Sequence, residues 1–99
     1  MRFKDKVAII SGAASGMGLL SAQNLCSEGA KVVMSDVNLT AVETAAENIR
    51  KNGGEAVGIQ VDVRDYAQVE KAAALALEKY GRIDIMMNFA GGAEARMLN

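Results

Sequence analysis

Apolar residues recur along the chain with two alternating periods, one typical of buried strands and the other typical of amphipathic helices. Short continuous apolar runs predict four strands, at residues 6–11, 31–36, 55–63 and 82–92. Between these runs, apolar residues repeat every three or four positions and predict three helices, at residues 16–28, 40–52 and 65–80. The chain therefore alternates strand and helix throughout.

Residues at the helix ends support these bounds. Gly29 follows the first helix, Asn-Gly-Gly at 52–54 follows the second, and Gly81 follows the third. Asp65 and Gln68 have the spacing of a capping box at the start of the third helix. The third helix is predicted to turn five apolar residues towards the core: Val69, Ala72, Ala73, Ala76 and Leu77.

Strand and helix alternate with short connections, which predicts parallel strands joined by right-handed crossovers in a doubly wound α/β sheet. No domain boundary interrupts residues 1–99. The fourth predicted strand is apolar on both faces, as an interior strand is, yet residues 91–99 are too few for another helix and strand. We therefore expect either that the chain is a fragment or that another chain covers this edge.

Charge and composition exclude several classes of protein. The net charge is −1 with no block of like charges, so neither a nucleic acid nor an anionic membrane is expected as a partner. A single cysteine, Cys26, and no histidine leave neither an internal disulfide nor a metal-ligand cluster. The first apolar run is too short for a signal peptide or a membrane span, so a soluble, cytoplasmic protein is expected.

The segment SGAASGMG, residues 11–18, joins the first predicted strand to the first helix and contains Gly12, Gly16 and Gly18. The N–H groups at the start of a helix lack partners within it and carry a partial positive charge, which favours a phosphate. Glycines let a pyrophosphate approach these groups without meeting a Cβ, and Ser15 adds a hydroxyl donor. The alternative is a turn whose glycines serve packing alone.

Acidic and small residues end the other strands. Asp36 ends the second strand, 18 residues after Gly18, near the spacing of an acid that binds the adenosine ribose. Such a carboxylate would repel a 2′-phosphate, and because the residues beside it are not basic, NAD is predicted rather than NADP. Asp36 as a simple turn or helix cap is the alternative.

Two later strand ends fit the same ligand. Asp62 and Val63 are predicted to meet the amino group and the face of an adenine, and Asn88 is followed by small residues that admit a nucleoside. Plain turns explain both places about as well. Together, the candidate cofactor-binding residues are Gly12, Ser15, Gly16, Met17, Gly18, Asp36, Val37, Asp62, Val63, Asn88, Ala90 and Gly91.

These motifs resemble those of the short-chain dehydrogenases/reductases. SGAASGMG resembles the family's Thr-Gly-x-x-x-Gly-x-Gly loop with Ser11 in place of threonine, and Asp36 matches the acid of NAD-preferring members. The Asp-Val at 62–63 matches the adenine-binding pair, and NFAG at 88–91 resembles Asn-Asn-Ala-Gly with Phe89 in place of the second asparagine. The resemblance implies a Rossmann-like fold, NAD as cofactor, and hydride transfer to or from an alcohol or ketone.

The resemblance also implies residues that this chain lacks. The family's chemistry depends on a serine, a tyrosine and a lysine four residues after the tyrosine, but Glu70 follows Tyr66 and Asp84 follows Tyr80 at that distance. We therefore predict no catalytic residue here. Family members run to about 250 residues, so the chain corresponds to the N-terminal, cofactor-binding half.

Three hypotheses for the function follow. The first is the NAD-binding part of an oxidoreductase, the second a non-catalytic dinucleotide-binding module, and the third a fragment that needs a partner chain. The exposed apolar edge predicts a homo-oligomer or a complementing chain. An S-adenosylmethionine-dependent methyltransferase would share the glycine loop and the acid, but not the Asp-Val pair and NFAG together.

Overall fold

The structure, a computed structural model, describes residues 2–90 and 94–97. Strands and helices alternate in the predicted order, with one additional strand at the end. Their bounds are Val7–Ser11 (β1), Gly16–Ser27 (α1), Lys31–Asp36 (β2), Leu39–Lys51 (α2), Glu55–Gln60 (β3), Tyr66–Tyr80 (α3), Ile85–Asn88 (β4) and Glu94–Met97 (β5).

The strands form one sheet in the order β3-β2-β1-β4-β5. The first four are parallel, and Ile9 in the middle of β1 stands between Val33 of β2 and Met86 of β4. The chain runs outward from β1 to β3 and then crosses back to β4 on the other side of β1. This confirms the predicted doubly wound sheet with four parallel strands and three helices.

The two faces of the sheet bury different helices, because successive side chains of a strand point to opposite faces. Ala8 and Ile10 of β1 pack into one core cluster with residues of α1 and α2. Val7 and Ile9 pack into a second cluster with Ala72 and Ala76 of α3, among others. The continuous apolar run of β1 thus reflects burial on both faces.

Leu77 was predicted to face the core, and this prediction is wrong, since 53% of the residue is exposed. Ala72 and Ala76 face the sheet as predicted, whereas Leu75 is half buried. Each helical residue is rotated by about 100° from the one before, so Leu75 and Leu77 lie on opposite sides of Ala76. The apolar pattern alone did not decide which of the two leucines meets the sheet.

The start of α3 differs in detail from a capping box. Asp65 is the N-cap, and its Oδ1 accepts a hydrogen bond from the Ala67 N–H at 3.0 Å. The Gln68 side chain donates from Nε2 to Asp65 Oδ2 at 3.2 Å, while its Oε1 accepts from the N–H of Asp62 at 2.7 Å. Gln68 therefore bonds the side chain of Asp65 and not its N–H, as a capping box would, and ties the loop after β3 to α3.

Two strands are shorter than their apolar runs predict. The run at 55–63 forms a strand only as far as Gln60, which is paired with Asp36, the last residue of β2. Beyond that pair β3 has no neighbouring strand to bond with, so Asp62 and Val63 lie in the following loop. The run at 82–92 contributes only Ile85–Asn88 to the sheet.

The outer edge of β4 is covered by the chain itself. Residues 91–99 were expected to be too few for another helix and strand, but without a further helix Glu94–Met97 pair antiparallel with β4, with Ile85 opposite Met97. An antiparallel strand needs only a short connection, whereas a parallel one needs a crossover of a dozen residues or more. The prediction overlooked this shorter way of covering β4.

An ion pair fixes the amino end of the sheet. Asp84, which is 6% exposed, accepts a hydrogen bond from the N–H of Val7 at 2.9 Å, and its own N–H donates to the Val7 carbonyl at 2.8 Å. Arg82 donates to both Asp84 carboxylate oxygens, at 2.8 and 2.7 Å. The Arg82 side chain thereby lowers the pKa of Asp84 below its usual value.

Two further observations concern the described part of the chain. None of its helices combines the length and the apolar character needed to cross a membrane. Within the same residues, no three carboxylate, thiol or imidazole side chains lie together as metal ligands would.

Candidate functional site

The connection between β1 and α1 is a tight loop in which two of the three glycines have positive φ, Gly12 at 72° and Gly16 at 58°. A Cβ at Gly12 would lie 2.8 Å from the Ala90 nitrogen, and one at Gly18 would overlap the Gly12 carbonyl oxygen. At Gly16 a Cβ would meet nothing within 4 Å. Gly12 and Gly18 therefore let main chain pack on main chain, whereas Gly16 serves the turn and faces open space.

The start of α1 presents polar groups towards this open space. Ser15 is the N-cap residue, with extended backbone (φ −158°, ψ 172°), and its side chain does not cap the helix. The N–H groups of Gly16, Met17 and Gly18 belong to the first turn, where a helix has no internal acceptors for them. No acidic residue within that turn offsets the positive end of the helix dipole.

Asp36 lies against this loop. Its Oδ2 accepts a hydrogen bond from the N–H of Ala14 at 3.1 Å, and its Oδ1 accepts from the N–H of Asn38 at 3.1 Å. The carbonyl of Ser35 accepts from the N–H of Ala13 at 3.0 Å. The end of β2 therefore holds the glycine loop through both main chain and side chain. The Asp36 carboxylate lies next to the N-terminus of α1.

Asp62 forms an ion pair with Arg64 in the loop after β3. Its Oδ1 accepts from the N–H and from Nε of Arg64, both at 3.0 Å, and its Oδ2 accepts from Nη2 at 2.8 Å. Hydrogen bonds from the Arg64 side chain, followed by that from its backbone N–H, lower the pKa of Asp62 to about 2. The carboxylate is therefore ionised at neutral pH and held in one orientation.

Asn88 ends β4, and its Oδ1 accepts from the N–H of Ala90 at 3.0 Å, closing the turn that follows the strand. The N–H of Phe89 donates to the Ser11 carbonyl at 2.9 Å, while the half-buried ring packs against the core cluster shared with α1 and α2. Phe89 thus extends the contact between β4 and β1. Gly91, also a candidate, lies outside the described residues.

These strand ends surround one open cleft with a volume of ≈ 780 Å³, within the range of small-molecule sites. Its lining consists of Gly12, Ser15, Gly16, Met17, Gly18, Asp36, Val37, Asp62, Val63, Arg64, Phe89 and Ala90. The cleft lies at the carboxyl ends of the strands, beside the point where the chain reverses direction across the sheet. Open α/β sheets bind their ligands at this position.

The cleft brings together ten of the twelve candidate residues, and one of these, Val63, also borders a neighbouring depression. Asn88 lines a neighbouring surface depression with Tyr66, Met86 and others instead of the cleft. Conversely, the candidate set did not include Arg64. The sequence signal is its place directly after the Asp-Val pair, where an arginine can pair with the Asp62 carboxylate.

The chain is similar to proteins that are already known. The chain matches the family model of the short chain dehydrogenases over residues 6–99. It is 43% identical over 91 residues to the meso-2,3-butanediol dehydrogenase of Serratia marcescens, a match that covers 92% of this chain and 36% of that enzyme.

Two solved structures are similar over most of the chain. The crystal structure of a hydroxysteroid dehydrogenase from Escherichia coli matches 88% of this chain with a TM-score of 0.85 and 34% identity, over 36% of its own chain. A short-chain dehydrogenase/reductase from Burkholderia phymatum, solved in complex with NAD, matches 87% with a TM-score of 0.83 and 37% identity, over 31% of its own chain.

The chain belongs to the short-chain dehydrogenase family, since the family model covers nearly all of its residues. It spans 31% to 36% of the length of the curated relatives it matches. With the two solved structures it shares the arrangement of strands and helices.

Proposed function

We propose that this chain is the NAD-binding part of a short-chain dehydrogenase that transfers hydride between a nicotinamide cofactor and an alcohol or carbonyl substrate. The observation that carries the proposal is the position of the Asp36 carboxylate, hydrogen-bonded to the glycine loop at the mouth of α1. A pyrophosphate at the first turn of α1 would leave the adjoining ribose next to that carboxylate.

The residues present fit an adenine dinucleotide. A pyrophosphate fits the open space at Gly16, where it can accept hydrogen bonds from the first-turn N–H groups of α1 that have no acceptor within the helix. Each carboxylate oxygen of Asp36 accepts one hydrogen bond from a main-chain N–H. Each oxygen therefore keeps a lone pair that can accept a bond from a ribose hydroxyl. The bound cofactor supplies the hydride acceptor or donor, and this chain's residues bind and orient it.

The substrate class is inferred from the relatives. Both the butanediol dehydrogenase and the hydroxysteroid dehydrogenase carry names of enzymes that act on alcohols. A cytoplasmic location and a homo-oligomer or complementing chain, all expected from the sequence, stay predictions. So do the cofactor contacts of all twelve candidate residues.

The test is a titration of NAD and NADP into the purified chain and its Asp36→Arg variant. We expect the variant to bind NAD at least about tenfold more weakly and NADP more tightly, since an arginine pairs with a 2′-phosphate that a carboxylate repels. Asp36→Asn keeps an oxygen for the Ala14 N–H and tests the charge without removing this support of the loop. Glu78→Arg, an exposed position on α3, makes the same charge change away from the cleft.

The outcomes separate the three hypotheses of the sequence. An unchanged preference in Asp36→Arg removes Asp36 from the ribose site and contradicts the proposal. Tight NAD binding with no hydride transfer, even with a C-terminal half of a relative added, favours the non-catalytic module. Activity that arises only with the added half supports the proposal. A chain that neither binds NAD nor unfolds cooperatively is a fragment that needs a partner.

A further inference from the structure

We propose that Arg64 is a positioning residue that orients the Asp62 carboxylate towards the adenine of the bound cofactor and so favours a 6-amino over a 6-oxo base. The inference rests on the proposed NAD function and concerns how that same cleft selects its ligand. It starts from the ion pair between the two side chains, both of which line the cleft.

The hydrogen bonds of Asp62 leave room for one more donor. Arg64 contributes two donors to Oδ1 and one to Oδ2. An ionised carboxylate offers about four acceptor positions, so about one remains, on Oδ2. An adenine amino group can donate there without breaking the pair. The oxo group of a hypoxanthine has no proton at that position and would face an acceptor.

The main chain of Asp62 is held independently of Arg64. Its N–H donates to Gln68 Oε1 at 2.7 Å, and its carbonyl accepts from the N–H of Asp65 at 2.9 Å. Both of these partners belong to the start of α3. Removing the Arg64 side chain should therefore leave the main chain of Asp62 in place. The bond from the N–H of residue 64 to Oδ1 would remain, whereas Oδ2, the oxygen that faces the base in this proposal, would lose its one donor.

Because the Arg64–Asp62 pair is exposed, Arg64 can orient the Asp62 carboxylate while contributing little to the stability of the fold. The Arg64 side chain is 87% exposed, and ion pairs between exposed groups contribute little to folding. Two parallel bonds to one carboxylate need the planar guanidinium fork, which a lysine lacks. Arg64 should therefore matter for the choice of base far more than for the stability of the fold.

The experiment measures dissociation constants for NAD and for nicotinamide hypoxanthine dinucleotide by calorimetry. The wild-type chain is compared with Arg64→Ala, Arg64→Lys and Asp62→Asn. Lys51→Ala is the matched control, because Lys51 is an exposed cation paired with Glu47 on α2, away from the cleft. Each chain's urea midpoint is recorded as well.

We expect Arg64→Ala to reduce the preference for NAD over the hypoxanthine dinucleotide by about fivefold, the effect of one misplaced hydrogen bond. Arg64→Lys should keep only part of the preference, and Lys51→Ala all of it. The urea midpoint should not move. The double variant Asp62→Asn, Arg64→Ala should have the same preference between the two dinucleotides as Asp62→Asn alone. This is expected because Arg64 acts only through the contact of Asp62 with the base.

Three results would overturn the proposal. If Arg64→Ala keeps the wild-type preference, or weakens both dinucleotides equally, Arg64 does not position Asp62. If the effect persists in the Asp62→Asn background, Arg64 acts on the base directly. If the wild-type chain binds NAD and any of these holds, the proposed function stands and only this inference fails, whereas a wild-type chain without NAD binding overturns both.

Discussion

Two arginine–aspartate pairs, each joining residues two positions apart, lie at opposite ends of the parallel sheet. Arg82 and Asp84 lie at the amino end, where the Asp84 side chain is 8% exposed, and Arg64 and Asp62 lie at the carboxyl end, where the Asp62 side chain is 32% exposed. Both arginines donate Nε and Nη2 to the carboxylate. The chemistry is the same, but the surroundings differ.

The difference lies in what each carboxylate bonds besides its arginine. Asp84 also accepts from the N–H of Val7, so it joins the start of β4 to the start of β1. Among the described residues, the Asp62 carboxylate accepts only from Arg64, and Asp62 lines the cleft. A carboxylate that also accepts a hydrogen bond from a buried main-chain N–H supports the fold. A carboxylate whose ion pair borders an open cleft is available to a ligand.

The largest expected effect is on stability at the amino end. Asp84→Ala leaves the buried Val7 N–H without its acceptor, so the free energy of unfolding should fall by about 1–3 kcal/mol in urea titrations. Asp84→Asn keeps an oxygen for that N–H and should lose less. Asp62→Ala, the matched change at the carboxyl end, should alter stability little. Equal losses at the two ends would contradict the comparison.

Acid should act through the same buried carboxylate. Because Arg82 lowers the folded-state pKa of Asp84 beneath the unfolded value of about 3.9, its stabilisation is complete above about pH 4. It is lost as the pH falls further, through the lower folded-state pKa. Unfolding free energies measured at about pH 6 and about pH 3 should therefore differ less in Asp84→Asn than in the wild type. Equal differences in the two chains would show that Asp84 does not carry the effect.

The smallest expected effect is that of salt on the exposed pair. Raising NaCl from about 0.05 M to about 1 M shortens the screening length to about 3 Å, which weakens an exposed ion pair more than a buried one. The preference for NAD over the hypoxanthine dinucleotide should fall by less than about threefold. It should not change in Arg64→Ala, which lacks the pair. The loss of unfolding free energy caused by Asp84→Ala should depend little on salt. A large salt effect on that loss would show that the Arg82–Asp84 pair behaves as an exposed ion pair.

Local patterns were sufficient to predict most of the fold. The apolar residues that recur at helical spacing along α2 are all buried, because such a stripe leaves one side of the helix for the sheet: Val42, Ala45, Ala46 and Ile49. Gly81 was predicted to end α3 and does so with φ 81°. The extra strand β5 was missed, since pairing with β4 depends on residues outside its own short segment.

Local patterns also predicted part of the candidate site, but not all of it. Glycines and acids at strand ends could be placed at one edge of the sheet, because parallel strands all end on the same side. The side chain of Asn88 could not be placed in this way, since its Oδ1 accepts from the N–H of Ala90 and the residue lines the neighbouring depression. Nor could the bond from Asp62 to Gln68, because it forms only where β3 stops short and the loop turns back to α3.

The sequence by itself determined the order of the strands and helices, the apolar faces of α1 and α2, and the strand ends that carry the candidate residues. These follow from local periodicity and from side chains that restrict or free the backbone. Only the tertiary structure decided where β3 ends, which leucine of α3 meets the sheet, and what each aspartate accepts besides its arginine. Those outcomes depend on groups brought together from distant segments, whose positions no local pattern specifies.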